Sequence, residues 1–258
     1  MPDGWTTQPV AWGGGLRFAP AGAGSGHSGC RLWASAVALC GALQARRLQL
    51  AEAQRAIELG AGVGAPGLFA AAAGCQEVVL SDASEEALRV LRGNVKRFED
   101  AARTSDGCRR RQGLLSAVRL DFSDVARVAE LAGTARFGLV LAADCAYERG
   151  AATRLVAAVD ALLAPDGLAL LADRDRPLGG TAVPAEVRAE ADRCGLVVED
   201  LDAAQCFRDG LDATGLPQET VTGCIDLRSF LLKLTRAAVS TARGPAPEQR
   251  AVALDELD

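Results

Sequence analysis

Residues 56–74 read AIELGAGVGAPGLFAAAAG. Ala56, Ile57 and Leu59 make a short apolar run, Gly60, Gly62, Gly64 and Gly67 follow, and an alanine-rich segment comes after them. A short apolar run bounded by glycines reads as a buried strand, and the glycine-opened segment behind it as a helix. Glycine in such a loop leaves the backbone open to close approach by a ligand. Gly62-x-Gly64-x-x-Gly67 also satisfies the dinucleotide fingerprint, which by itself does not separate one nucleoside cofactor from another.

The same alternation continues along the chain. Residues 77–82 (EVVLSD), 115–122 (LSAVRLDF), 137–144 (FGLVLAAD), 168–173 (LALLAD) and 196–201 (LVVEDL) read as further strands, and 225–234 (IDLRSFLLKL) as a seventh. Helices are expected over 31–47, over 84–102 with Ser84 as N-cap, over 151–167 with an end at Pro165 and Gly167, and over 184–195 with Pro184 at its start. Residues 202–224 read as a polar connection. Strands alternating with helices predict an α/β fold, a Rossmann-like, seven-stranded, mostly parallel sheet with helices on both faces. Ligands of such sheets bind beyond the strand carboxyl ends, where the strand order reverses.

A chain of 258 residues with 49% apolar content can bury one large core, so a single domain over 30–236 is expected. Residues 1–29 are rich in Gly, Pro and Ala and are expected to be a mobile leader; residues 237–258 are expected to be a flexible tail. The net charge of −5 disfavours a general nucleic-acid binder. No stretch is apolar for long enough to span a bilayer, so a cytoplasmic protein without membrane partners is expected. The eight cysteines contain no C-x-x-C pair and read as small hydrophobes in a reducing compartment, with no metal site. Cys145 has no histidine to activate it, because the single histidine, His27, lies in a Gly/Ser tract. The basic run at 108–113 (CRRRQG) reads as an exposed loop.

Two acids stand at the ends of the first two strands of this unit. Asp82 suits the hydroxyls of a ribose in any nucleoside cofactor. Glu58, just before the first glycine, would repel a pyrophosphate and favour a ligand carrying an ammonium and a sulfonium, such as S-adenosylmethionine. The alternative is a solvent-facing glutamate beside an ordinary tight turn.

CRLWASAVAL (30–39), the 56–74 stretch, VVLSDASEEALRVLRGNV (78–95), LDFSD (120–124) and FGLVLAADCAYE (137–148) follow one another in the order and spacing of the seven-β-strand protein-lysine methyltransferases, the methyltransferase-like group with an Asp-x-x-Tyr motif. The chain resembles that family best over 30–175. The resemblance implies an antiparallel seventh strand and S-adenosylmethionine as cofactor. Residue by residue it assigns Glu58, Gly60, Ala61 and Gly62 to the cofactor loop, Asp82 to the ribose, and Trp33 and Ala143 to the cofactor's borders. Asp144 and Tyr147 match the motif that shapes the entrance for a substrate lysine. Two departures stand out: Phe122 occupies the place where the family often has tryptophan, beside the adenine, and the N-terminal region is short and glycine-rich where relatives tend to have extra strands.

Methyl transfer from a sulfonium is an in-line displacement that needs alignment more than a nucleophilic side chain, and alignment is worth about 7–11 kcal/mol. Asp144 is suited to orienting an amine and Tyr147 to walling its channel; alternatively, Asp144 caps a helix and Tyr147 packs on the sheet edge. The expected function is methylation of a lysine on another protein by a monomeric enzyme. The rivals are a small-molecule methyltransferase of the same fold, a non-catalytic cofactor-binding module, and, more distantly, a nicotinamide oxidoreductase.

Overall fold

In the computed structural model, which describes residues 5–20, 25–46, 50, 53–104, 114–133, 136–176, 182–226 and 228–237, the AIEL run lies in strand β3 (Arg55–Leu59). β4 (Glu77–Asp82) pairs with it in parallel on one side, with β5 (Leu114–Arg119) beyond. β6 (Phe137–Ala143) pairs in parallel on the other side, followed by β7 (Leu163–Arg174). The sheet is completed by β8 (Leu196–Leu201) and β9 (Ser229–Arg236) in the order β5-β4-β3-β6-β7-β9-β8. β9 is antiparallel to both β7 and β8, so the last described strand is inserted between two earlier ones. This is the α/β, Rossmann-like architecture with an antiparallel seventh strand. The order reverses between β3 and β6, which places the ligand edge at their carboxyl ends.

The helices are α1 (Ala34–Gln44), α2 (Ala65–Ala72), α3 (Glu85–Thr104), α4 (Val125–Ala132), α5 (Ala151–Leu162), α6 (Val183–Arg193) and α7 (Ala203–Thr214) among the described residues. Successive side chains of a strand point to opposite faces, and the core divides accordingly. Ala56, Leu139, Leu141 and Leu170 pack with Leu39, Leu68, Leu88 and Phe207 of α1, α2, α3 and α7. Ile57, Leu59, Val140 and Ala142 pack on the other face with Val128, Leu155 and Val187 of α4, α5 and α6. α1 and α7 cross at Gly41 and Gly210: a Cβ on either would lie about 2 Å from the other helix's backbone, 1.9 Å from Cys206 O and 2.0 Å from Val37 O.

The N-terminal region departs from the expected mobile leader. Thr6–Pro9 (β1) and Gly15–Phe18 (β2) form an antiparallel hairpin, and Leu16 and Phe18 are buried in the α3 side of the core. Buried Asn94 of α3 clamps it: Oδ1 accepts the Arg17 N–H at 2.8 Å, and Nδ2 donates to Arg17 O at 3.0 Å. The side-chain amide thus pairs with the strand as another strand would, which composition cannot reveal. The extra strands that the glycine-rich segment was expected to lack are present.

Two helices lie where none was expected. α7 occupies the 202–224 connection, with Asp202 accepting the Gln205 N–H at 2.8 Å as N-cap and Gly215 ending it at φ 68°. Phe207, Gly210 and Thr214 form its buried stripe. α4 is capped by Asp124, which accepts the Arg127 N–H at 3.1 Å. Two boundaries also shift: α5 ends at Leu162, and residues 163–167 join β7 across a register irregularity opposite Phe137–Leu139. Ser84 caps α3 as expected, accepting from the Ala87 N–H at 3.3 Å, and a proline stands at the start of α6. The basic run 108–113, the segment 238–258 and the side chain of His27 lie outside the described residues.

Candidate active site

The β3–α2 loop takes a path that requires glycine. Gly60, Gly62 and Gly64 have φ of 59°, 54° and 82°. A Cβ would lie 2.6 Å from Cys145 Sγ at Gly60 and 2.8 Å from Gly29 O at Gly62. The loop is closed by the Gly64 N–H on Ala61 O at 2.7 Å and tied to β4 by the Ala61 N–H on Ser81 O at 2.8 Å.

Asp82 ends β4 beside this loop. Oδ2 accepts the Gly62 N–H at 2.9 Å, and Oδ1 accepts the Ser84 N–H at 2.8 Å. Burial raises its pKa, against the lowering effect of those two amides. Each carboxylate oxygen has two lone pairs, so one bond to each leaves capacity for a pair of ribose hydroxyls. The positive-φ loop and this carboxylate together fit a nucleoside cofactor.

Glu58 does not present its carboxylate to a ligand. It is 1% exposed, lies on the same face as Ala56, and accepts the Gly67 N–H at the start of α2 at 2.8 Å. Burial in that apolar layer pushes its pKa up to about 8. At neutral pH the side chain is therefore mostly uncharged, which corrects the expectation that its charge selects a cationic ligand. Its observed work is to hold the helix start against the strand.

Trp33 is the N-cap residue of α1, half-buried, with its indole N–H donated to Ser28 O at 3.0 Å. Residues 25–30 form a 3-10 turn that brings Gly29 onto Gly62. Cys30 beside it is buried, and its thiol pKa is pushed up to about 11 by that burial and by the Glu86 and Asp82 carboxylates. The end of the supposed leader thus packs on the glycine loop. Phe122 follows β5 and is half-buried against the α4–α5 side of the core, and Ala143 is the half-buried last residue of β6.

Asp144 follows β6 with φ 53°, the one non-glycine positive φ among the described residues. Its carboxylate is ion-paired with Arg176 at 2.5 Å rather than standing alone. Tyr147 is 65% exposed at the rim. Cys145 between them is buried, donates to Leu59 O at 3.2 Å, and has a thiol pKa raised well above its ordinary value by burial, so it is inert packing, as expected. The structure thus brings Gly60, Ala61, Gly62, Asp82, Ala143, Asp144 and Tyr147 to the carboxyl edge, with Gly29 against the loop, Trp33 bonded to Ser28 next to Gly29, and Glu58 beneath the loop.

Sequence reasoning missed Asp173, Arg176 and Asn94. Asp173 is the second-last residue of β7, is 4% exposed, and accepts the Ala146 N–H at 2.7 Å. Asn94 Nδ2 donates to Val63 O at 2.9 Å, which joins the hairpin clamp to the glycine loop. A buried aspartate ending an apolar run was a legible signal, in Asp173 as in Asp82; the partner of each was not.

A separate cavity of about 640 Å³ opens at the opposite edge, among the strand amino ends at Arg55, Gly138, Gly167 and Lys233. Of its cations, Arg55 pairs with Glu77 and Lys233 with Glu199, while Arg46 and Arg136 donate to backbone carbonyls, and it lies at the other end of the strands from Asp82 and Asp144. Among the described residues no helix is long and apolar enough to cross a membrane.

The chain matches the family described as lysine methyltransferase over residues 21–183 of 258. No curated protein matches it. Among solved structures, it is similar to the glycopeptide N-methyltransferase MtfA complexed with sinefungin, at 17% identity and TM-score 0.50, covering 77% of this chain and 94% of that one. It is also similar to an O-methyltransferase from Bacillus cereus in complex with SAH, at 12% identity and TM-score 0.50, covering 76% and 80%. A TehB-like SAM-dependent methyltransferase from Corynebacterium glutamicum aligns at 14% identity and TM-score 0.48, covering 76% and 93%. At these identities the structures bear on the fold alone, and the family match carries the assignment: this chain belongs to the lysine methyltransferase family.

Proposed function

We propose that the protein transfers a methyl group from S-adenosylmethionine to the side-chain amine of a lysine in another protein. The observation that carries the reading is the convergence of Asp82, the positive-φ loop 60–64 and Asp144 on adjacent strand ends at the point where the sheet order reverses. Membership of the lysine methyltransferase family supports the acceptor class. Seven free cysteines among the described residues fit a reducing compartment, the cytoplasm.

The cofactor supplies an electrophilic methyl on a sulfonium. The protein's part is positional. Asp82 holds the ribose hydroxyls, and Gly60–Gly62 let the backbone approach the methionine portion. Trp33, Phe122 and Ala143 border the nucleoside. Asp144 accepts a hydrogen bond from the incoming amine, since an oxygen already bonded to Arg176 retains a second lone pair. Tyr147 at the rim offers a ring face to the alkyl-ammonium chain. The amine must lose a proton before attack, and a neighbouring sulfonium disfavours its charged form.

The test is incubation of the protein with tritiated cofactor and a proteome extract. Label on a protein band that yields methyl-lysine on mass spectrometry is expected. Label confined to small molecules would mean a metabolite methyltransferase, and S-adenosylhomocysteine binding without any label would mean a non-catalytic module. Asp144→Ala should bind S-adenosylhomocysteine normally and lose about a hundredfold or more in labelling rate, the scale of one preorganised polar group.

A further inference from the structure

Asp144 follows β6 and Asp173 is the second-last residue of the neighbouring parallel strand β7, and one side chain joins them. Arg176, three residues beyond Asp173, donates from Nη2 to Asp144 Oδ1 at 2.5 Å and from Nη1 to Asp173 Oδ1. Asp173 also accepts the N–H groups of Ala146 and Arg174, each at 2.7 Å. The Asp144 N–H donates to Ala172 O at 2.9 Å. These bonds lace residues 144–146 onto the end of β7.

The lacing has a conformational load to hold. Asp144 sits at φ 53°, a region closed to most side-chain-bearing residues and one that aspartate enters more readily than most. Strain of this kind persists only where its surroundings over-determine it, and such residues cluster at functional sites. Lysine could not reproduce the geometry of this tie, because a planar guanidinium reaches two carboxylates from two nitrogens held in a fixed fork, whereas an ammonium presents its donors from one atom. Burial and the neighbouring Asp144 carboxyl raise the pKa of Asp173. Two carboxyl groups thus share one guanidinium.

We propose that Arg176 is a positioning residue for the methyl acceptor: its fork fixes the Asp144 carboxylate and, through Asp173 and Ala146, the turn that presents Tyr147, with two carboxyl groups gathered around one guanidinium where a cationic amine would approach. This rests on the methyl-transfer reading above. Arg176 acts through Asp144 and touches neither the cofactor loop nor Asp82.

The experiment compares wild type, Arg176→Ala and Arg176→Lys, with tritiated S-adenosylmethionine and the proteome extract as probes. Initial labelling of the protein band is read against extract concentration, beside melting temperature and S-adenosylhomocysteine affinity by calorimetry. For Arg176→Ala, an affinity within about threefold of wild type is expected with a labelling rate at saturating extract about a hundredfold lower, the scale of an ångström-level misplacement. Arg176→Lys should regain most of the melting temperature lost by alanine but little of the rate. The proposal is overturned if lysine restores the rate together with the stability, if rate simply follows melting temperature, or if alanine labels as fast as or faster than wild type, which would make Arg176 a block on Asp144. A wild type that labels no protein overturns the methyl-transfer reading, and this proposal with it. Wild-type labelling matched by the alanine variant overturns this proposal alone.

Discussion

Replacing Glu58 by glutamine should remove a pH dependence of stability that the wild-type fold carries. Glu58 is buried, and its pKa rises from 4.5 to about 8 through loss of hydration. Between those values the folded chain holds a proton that the unfolded chain has released. Stability from this group is therefore fully present below pH 4.5 and is lost as pH rises through 8, at up to about 1.4 kcal/mol per pH unit. From pH 6 to pH 8 the loss comes to about 2 kcal/mol, or about 4–8 °C in melting temperature for a domain of this size. Glutamine keeps an oxygen for the Gly67 N–H and replaces the carboxyl O–H by an amide N–H, so shape and polarity are retained without a titration. Urea unfolding of both proteins at pH 6, 7 and 8 is the assay. The advantage of Glu58→Gln over the wild type should grow by about 2 kcal/mol between pH 6 and pH 8. Asp173, pushed up to about 6, titrates in both proteins and cancels from the difference. Parallel stability curves would refute the reasoning, since they would mean that Glu58 is ionised in the fold across the whole range.

Asp82→Ala should weaken S-adenosylhomocysteine binding by about 10- to 150-fold in calorimetry, the value of a charge-assisted hydrogen bond; unchanged affinity in a folded variant would place the ribose elsewhere. Asn94→Ala should cost about 3 kcal/mol in urea unfolding, because it leaves buried partners on Arg17 and Val63 unpaired; a loss below 1 kcal/mol would show that the hairpin is not held there. Gly210→Ala should lower stability by about 1–3 kcal/mol or more, since its methyl group would fall 2.0 Å from the Val37 carbonyl oxygen and backbone cannot swing aside. An unchanged denaturation midpoint for that variant would contradict the close α1–α7 crossing.

The sequence by itself carried the alternation that makes an α/β sheet, the loop positions where only glycine fits, and an acid at the end of β4 beside them. These are local properties. An apolar run, a φ above zero or a cap needs only its neighbours in the chain, and the cap of α7 at Asp202 with its stop at Gly215 was legible in the same way, though its polar composition masked it. What lay beyond the sequence were the partners. Arg176 reaches Asp144 from 32 residues away, and Asn94 reaches Arg17 from 77. The hairpin looked too poor in apolar residues to fold because its pairing is completed by a side chain of α3 and its burial by the same helix. Glu58 reads as a charged strand-end residue until the sheet assigns it to the apolar face, where desolvation makes it an acid holding its proton. The charge of a group is set by what surrounds it, and only the tertiary structure determines those surroundings.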